Sequence, residues 1–223
     1  MKTLKINFQK VGRVLSLLGL TLIILTSLQS CKKENITASV NPMSSEKYRE
    51  FDDAMHKLWA DHMQYTYLTV DAFFNNNVAL NSNLTRLLKN QEDIGAAIVP
   101  YYGQAAGDQL TALLKDHING AVPVLTAAQN GNQAELDVAV ANWRANAKDI
   151  ADFLSTANPE NWTQSHMRMH MDDHITKTIA YSVALLQKDY KQASIDYDAA
   201  FADMMHFADG LSQGIAKQFP SKF

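Results

Sequence analysis

Apolar side chains recur every three or four positions along most of the chain beyond residue 45. Phe51, Met55, Leu58, Trp59, His62, Thr66, Val70 and Phe73 form the first such stripe, which is the spacing of a helix that buries one face. Ser44 and Ser45 before Glu46 supply a cap and a first-turn acid, and Asn75-Asn76-Asn77 supplies a stop. Leu84, Leu87 and Leu88 predict a shorter helix, followed by Ile94, Ile98 and a breaker at Pro100. A second long helix is predicted over about 104–129, with Leu110, Leu114, His117, Ala121, Leu125 and Ala128 inward. Within it, Gly120 and Pro123 predict a kink or break just after His117. Asn130-Gly131-Asn132 is a turn, and Leu136, Val140, Trp143, Ala147, Ile150 and Leu154 mark the next helix. Thr163 caps a helix with Met167, Met171, His174, Thr178, Tyr181 and Leu185 inward. Tyr197, Phe201, Met204, Ala208, Leu211 and Ile215 carry a last helix that starts near Tyr190. No short segment alternates cleanly with β-branched enrichment, so the expected fold is all-α, a bundle of about six helices.

The stripes also repeat on a longer scale. Asp61-His62-Met63, Asp116-His117-Ile118 and Asp173-His174-Ile175 stand 55 and 57 residues apart. Asn90, Asn146 and Asp203 correspond to one another, and Ala151-Asp152-Phe153-Leu154-Ser155 matches Ala208-Asp209-Gly210-Leu211-Ser212 at the same 57-residue offset. Three tandem αα-hairpins are predicted, each with Asp-His-apolar on its first helix.

Each of His62, His117 and His174 falls on the apolar stripe of its helix, which predicts burial. Packed helix axes lie about 8–10 Å apart, so three imidazoles from hairpins gathered round one axis can meet. Three neutral imidazoles and a water make the open tetrahedral set that suits Zn²⁺ and related divalent transition metals. Asp61, Asp116 and Asp173 project about 100° round from their histidines, where each can orient a neighbouring ring from behind. The plainer reading is a satisfied polar core, with Thr66, Thr178, Ser182 or nearby tyrosines as hydrogen-bond partners. Acid-base catalysis is a third reading of the same residues.

A second cluster is Ser165-His166-Met167-Arg168-Met169-His170-Met171, which runs on to His174. His166, His170 and His174 at i, i+4 and i+8 predict one shared face, and imidazole with thioether is a Cu(I) ligand set. Methionine at helical spacing reads equally as core filler. Asp53-x-x-His56 and Asp203-x-x-His206 imitate the Glu-x-x-His element of di-iron bundles, without its partner glutamates and on faces that read as exposed. Trp59 and Trp143 read as core. No Gly-rich phosphate loop, Gly-x-Ser-x-Gly or His-Glu-x-x-His stands anywhere in the chain.

With 47% hydrophobic and 19% charged residues the 223-residue chain is of ordinary globular composition, and a single Cys excludes a disulfide framework. Residues 1–30 contain Lys2, Lys5, Lys10 and Arg13, no acid, and an apolar run from Val14 to Leu28, the pattern of a signal peptide. Fifteen helical residues extend only about 22 Å, short of a hydrocarbon core of about 30 Å. The run ends in Leu28-Gln29-Ser30-Cys31, which resembles a bacterial lipobox. That resemblance implies cleavage before Cys31, diacylglycerol and palmitate-type acylation there, and attachment to a membrane of the cell envelope; Lys32 resembles the residue of outer-membrane lipoproteins. Polar residues 31–45 read as a tether and 46–223 as the bundle domain. Removing residues 1–30 takes away four bases and no acid, which leaves 16 bases against 23 acids and a formal charge of −7. Such a surface is unsuited to nucleic acid.

Leu58-Trp59-x-x-His62, Leu87-Leu88-Lys89-Asn90-x-x-Asp93, Tyr101-Tyr102-Gly103, Asp116-His117, Asn142-Trp143 with Asn146, Asp173-His174, and Ala208-Asp209-x-Leu211 through Gln218-Phe219-Pro220 together resemble an uncharacterised group of bacterial helical proteins. The likeness covers most of the chain after Cys31. It implies a helical fold and the positions of His62, His117 and His174, but no activity, and the pattern lacks His166 and His170. Members are labelled glycosyltransferase or acetylglutamate kinase, activities that need sheets or phosphate-cradling loops. The sequence thus reads as a lipid-anchored, extracytoplasmic bundle of unassigned activity, more a binding module than an enzyme, with core histidines suited to a divalent transition metal. The alternative is a metal-free structural module of the envelope that binds a protein partner through an exposed apolar or Tyr-rich patch.

Overall fold

The computed structural model describes residues 41–223. The expected signal peptide, the expected lipidation site at Cys31 and the expected tether as far as residue 40 lie outside the described residues. Six α-helices follow one another among the described residues: α1 (Glu46–Asn75), α2 (Asn77–Tyr102), α3 (Gln104–Asn130), α4 (Gln133–Ala157), α5 (Gln164–Leu186) and α6 (Tyr190–Gln218). The all-α bundle expected from the stripes is the observed fold.

The end of the expected tether is structured. Residues Pro42–Ser44 form a 3-10 turn packed on α1 and α6, with the Asn41 side chain accepting from Met43 N. Ser45 Oγ then accepts from Tyr48 N and opens α1, which satisfies one of the free N–H groups of the first turn. Asn132 and Asp189 cap α4 and α6 in the same manner.

Single-residue connections at Asn76 and Gly103 turn α1 into α2 and α2 into α3. Gly103 has φ +84°, a conformation that side chains with a Cβ rarely adopt. Each helix therefore runs back along the previous one. Neighbours in sequence pack as neighbours in space, α6 closes the ring against α1, and α1, α3 and α5 also touch one another across the axis. The three hairpins read from the sequence surround one axis, with their first helices innermost. The α2–α3 crossing is close because Gly95 faces Gly107, and a Cβ on Gly95 would lie 2.6 Å from the Gly107 carbonyl oxygen.

Two expectations about breaks are corrected. The two segments foreseen around Leu84 and Ile94 form the single helix α2, which continues through Pro100. Helix α3 likewise continues through Pro123 to Asn130 rather than breaking after His117. Both prolines lie on exposed faces, as does Asn119, whose carbonyl is the one Pro123 cannot serve. A carbonyl freed on an exposed face is open to solvent, so the helix does not have to end.

Candidate functional site

His62 on α1, His117 on α3 and His174 on α5 are all buried, at 2%, 2% and 4% exposure. The His174 ring centroid lies 5.8 Å from that of His62 and 5.8 Å from that of His117. The three imidazoles of successive hairpins gather at one interior place, on the inward stripes of the three innermost helices. Trp143 stacks on His117 at 5.2 Å, and Trp59 presents an edge to His62 at 5.5 Å.

Amides, rather than the expected carboxylates, hold the rings. Asn146 Nδ2 donates to Leu113 O, which turns its Oδ1 towards His117 Nδ1 at 2.8 Å. Since Oδ1 can only accept, His117 carries its proton on Nδ1, and its buried Nε2 has a lone pair with no partner. Gln91 Nε2 donates to Leu87 O and Asn90 Oδ1 and faces His62 Nδ1 at 3.3 Å. Both hydrogens of that amide are given to Leu87 O and Asn90 Oδ1, so only the His117 proton is placed by its amide partner.

The repeat is visible in these bonds. Asn90 Nδ2 donates to Leu58 O, and Asn146 Nδ2 donates to Leu113 O. In each case the acceptor is the carbonyl four residues before the histidine. The third hairpin has Asp203 at this place, and Lys177 pairs with it at 3.0 Å. Sequence reading found the correspondence of Asn90, Asn146 and Asp203 without assigning it a role; Gln91 it missed altogether. The signal that was available is a carboxamide 28 or 29 residues after a histidine in each of two repeats.

The expected supporting carboxylates point elsewhere, because a residue next to an inward position stands on the flank of its helix. Asp61 pairs with Lys57 and Arg86, Asp173 pairs with Lys177, and Asp116 is exposed. The single histidine face expected on α5 also divides, since eight residues of helix drift from one face. Met167, Met171 and His174 are buried, while His166 and Met169 are exposed. His170 is half-buried, 4.6 Å from the His166 ring and 5.6 Å from Phe207. His166 and His170 therefore stand together, apart from the triad.

Burial disfavours the charged form of all three triad rings. It lowers the pKa of His62 to about 3, with His117 adding repulsion and the Gln91 contact opposing it. It lowers His117 to about 4 against the opposing Asn146 bond, and it takes His174 well below the ordinary value, with both other histidines adding repulsion. The triad is neutral at pH 7.

The three rings line a cavity of about 190 Å³ enclosed by α1 to α5, which runs to the exposed Val122 and Val183. Val70, Leu87, Val124, Leu125 and Ile179 contribute its apolar wall. Its hydroxyls belong to Thr66, Thr69, Thr178 and Ser182. No Asp, Glu, Lys or Arg lines it.

For a tetrahedral ion, ligand nitrogens lie roughly 3.3 Å apart, as follows from bonds of about 2.0 Å. No choice of one nitrogen from each triad ring brings all three within 4.8 Å of one another; among the described residues only Asp52, His56 and Asp209 meet that spacing. There His56 Nδ1 donates to Asp52 O at 2.9 Å and Nε2 faces Asp209 Oδ1 at 3.1 Å. Asp52 also accepts from Ser212 and Tyr48, so this group ties α1 to α6 by its own hydrogen bonds. Asp53 is exposed and takes no part, and His206 stands 3.8 Å from Asp209. No helix of the described residues is long and apolar enough to cross a membrane. No family model, curated protein or solved structure matches the chain.

Proposed function

We propose that the bundle is a binding module for a small, mainly apolar molecule taken up by the cavity between α1, α3 and α5. The observation that carries this reading is the cavity itself: about 190 Å³, mainly apolar in its walls, with three imidazoles and four hydroxyls as its polar groups. An apolar cavity of about 150 Å³ already takes up benzene, so this one has room for a single six-membered ring or a short alkyl chain. Binding is driven by the apolar surface removed from water.

Toluene titrated into the purified protein and followed by ¹H–¹⁵N NMR tests the reading. Saturable shifts confined to residues around the cavity are expected, and their loss in an Ala121→Phe protein that remains folded. Shifts absent from the native protein would count against the cavity and favour a purely structural module.

A second reading, a divalent metal held by His62, His117 and His174, is favoured by their convergence. It requires the rings to swing together. Stoichiometric Zn²⁺ in the purified protein, lost in His62→Ala/His174→Ala, is its test. In both readings the module is held to the cell envelope through lipid on Cys31. Labelling with radioactive palmitate, absent in Cys31→Ser, checks the anchor.

A further inference from the structure

Resting on the cavity reading, we infer that the molecule it takes is a neutral alcohol or phenol, whose hydroxyl donates to His117 Nε2 while its apolar body fills the cavity.

The polar inventory of the cavity selects this class. Thr66 donates its hydroxyl hydrogen to His62 O, Thr69 to Tyr65 O and Ser182 to Thr178 O, each at 2.6 Å. Those three oxygens have only lone pairs left to offer, while the hydroxyl of Thr178 has no partner and can give or accept. His117 Nε2 is likewise an acceptor, because the Asn146 bond fixes the proton on Nδ1. A buried acceptor without a partner costs about 1–3 kcal/mol, and a ligand with a donor relieves that cost. Apolar molecules, ethers and ketones leave it in place.

Charge narrows the choice further. An ammonium ion would donate to the same lone pairs, but no carboxylate lines the cavity to balance it. A carboxylate would meet lone pairs and uncharged rings with no cation among the lining residues. A hydroxyl avoids both penalties.

The test compares phenol, toluene and benzoate on the purified protein, each titrated against the native chain and His117→Phe. Phenol is expected to saturate the native protein, and His117→Phe is expected to lower the ratio of phenol to toluene affinity about tenfold, the loss of one buried hydrogen bond. A readout that needs no variant is the ¹⁵N resonance of His117 Nε2, which should move upfield on saturation with phenol and stay in place with toluene. Toluene binding with phenol affinity insensitive to His117→Phe and an unmoved Nε2 resonance would overturn the ligand class and leave the cavity reading standing. Benzoate bound as tightly as phenol would overturn the class as well. Saturation by neither phenol nor toluene would overturn both readings together.

Discussion

The two ends of the bundle fill the same axis in different ways. Near the start of α1, Met55, Trp59, Ile98, Leu154, Trp162 and Ile215 close round a space of about 20 Å³, while the end beyond the histidines keeps about 190 Å³. Helix α6 supplies Leu211 and Ile215 to the solid end and nothing to the wall of the hollow one. Indoles account for much of the contrast. Trp162 donates to Gly210 O and lies flat where a Gly214 side chain would stand. The hollow end has a single indole, Trp143, stacked on His117, and lines the rest of its wall with Phe73, Phe74, aliphatic and hydroxyl side chains and imidazoles that cannot be packed as hydrocarbon. Interiors normally reach crystal-like density, so a void on this scale beside a solid half marks where the fold holds space open.

The largest expected effect falls on the closest approaches of the solid end. Gly95→Ala would press a methyl into Thr111 and the Gly107 carbonyl, where backbone rather than a flexible tip must move. A loss of about 3 kcal/mol is expected, read as the shift of the urea midpoint at unchanged slope. Gly214→Ala, which displaces the Trp162 ring, should cost nearly as much. A loss under about 1 kcal/mol in either would show that this half is not tightly packed.

Next comes a pair of truncations, one at each end. Ile150 is 1% exposed and lies against the solid end, so Ile150→Ala should cost about 3 kcal/mol, transfer and cavity terms together. Leu80 is part-exposed and borders the existing cavity. Leu80→Ala should cost about 1 kcal/mol, because less surface is lost and no new void forms. Equal losses would erase the distinction between the halves.

The histidines give the hollow end a pH dependence. Their folded pKa values lie below the unfolded value of about 6.5, at about 3 for His62 and about 4 for His117. As pH falls, the unfolded chain takes up protons first. The stability held in keeping these rings neutral is complete above about pH 6.5 and drains as pH falls towards the folded values, at no more than about 1.4 kcal/mol per pH unit for each ring. Urea unfolding at about pH 7 and about pH 5 should show a smaller loss in His174→Phe than in the native protein. Identical losses would mean that the triad is not buried and neutral.

How much of this was readable in advance divides along the same line. The stripes located the helices because burial of one face acts at every turn, and the Asp-His repeat located the triad because equivalent hairpins place equivalent residues on the axis. The continuity of α2 and α3 through Pro100 and Pro123 was not readable, since it depends on which face meets solvent. The partners of the rings were misassigned for a similar reason. Asp61, Asp116 and Asp173 neighbour the histidines in sequence, whereas Gln91 and Asn146 reach them from the second helix of each hairpin. The cavity was invisible, because periodicity reports which side chains point inward and not whether they meet.

The smallest expected effect is also the one with the opposite sign. Gly210 lies in the interior of α6, and a Cβ built on it meets nothing within 4 Å. Its contact with the solid end is through its carbonyl, which accepts from Trp162 at 2.9 Å and would not be disturbed by a methyl group. Glycine within a helix costs about 0.5–1 kcal/mol relative to alanine through its greater freedom in the unfolded chain, so Gly210→Ala should stabilise the protein by about that amount. One helical turn further on, Gly214→Ala should destabilise it severalfold more, because there the methyl occupies the seat of the indole rather than solvent. Thermal melts of the two variants side by side isolate the role of Trp162, since propensity favours alanine equally at both positions and only the second change moves the ring. A gain at both positions would show that Trp162 yields easily, and the solid end would then owe its density to something other than the indole.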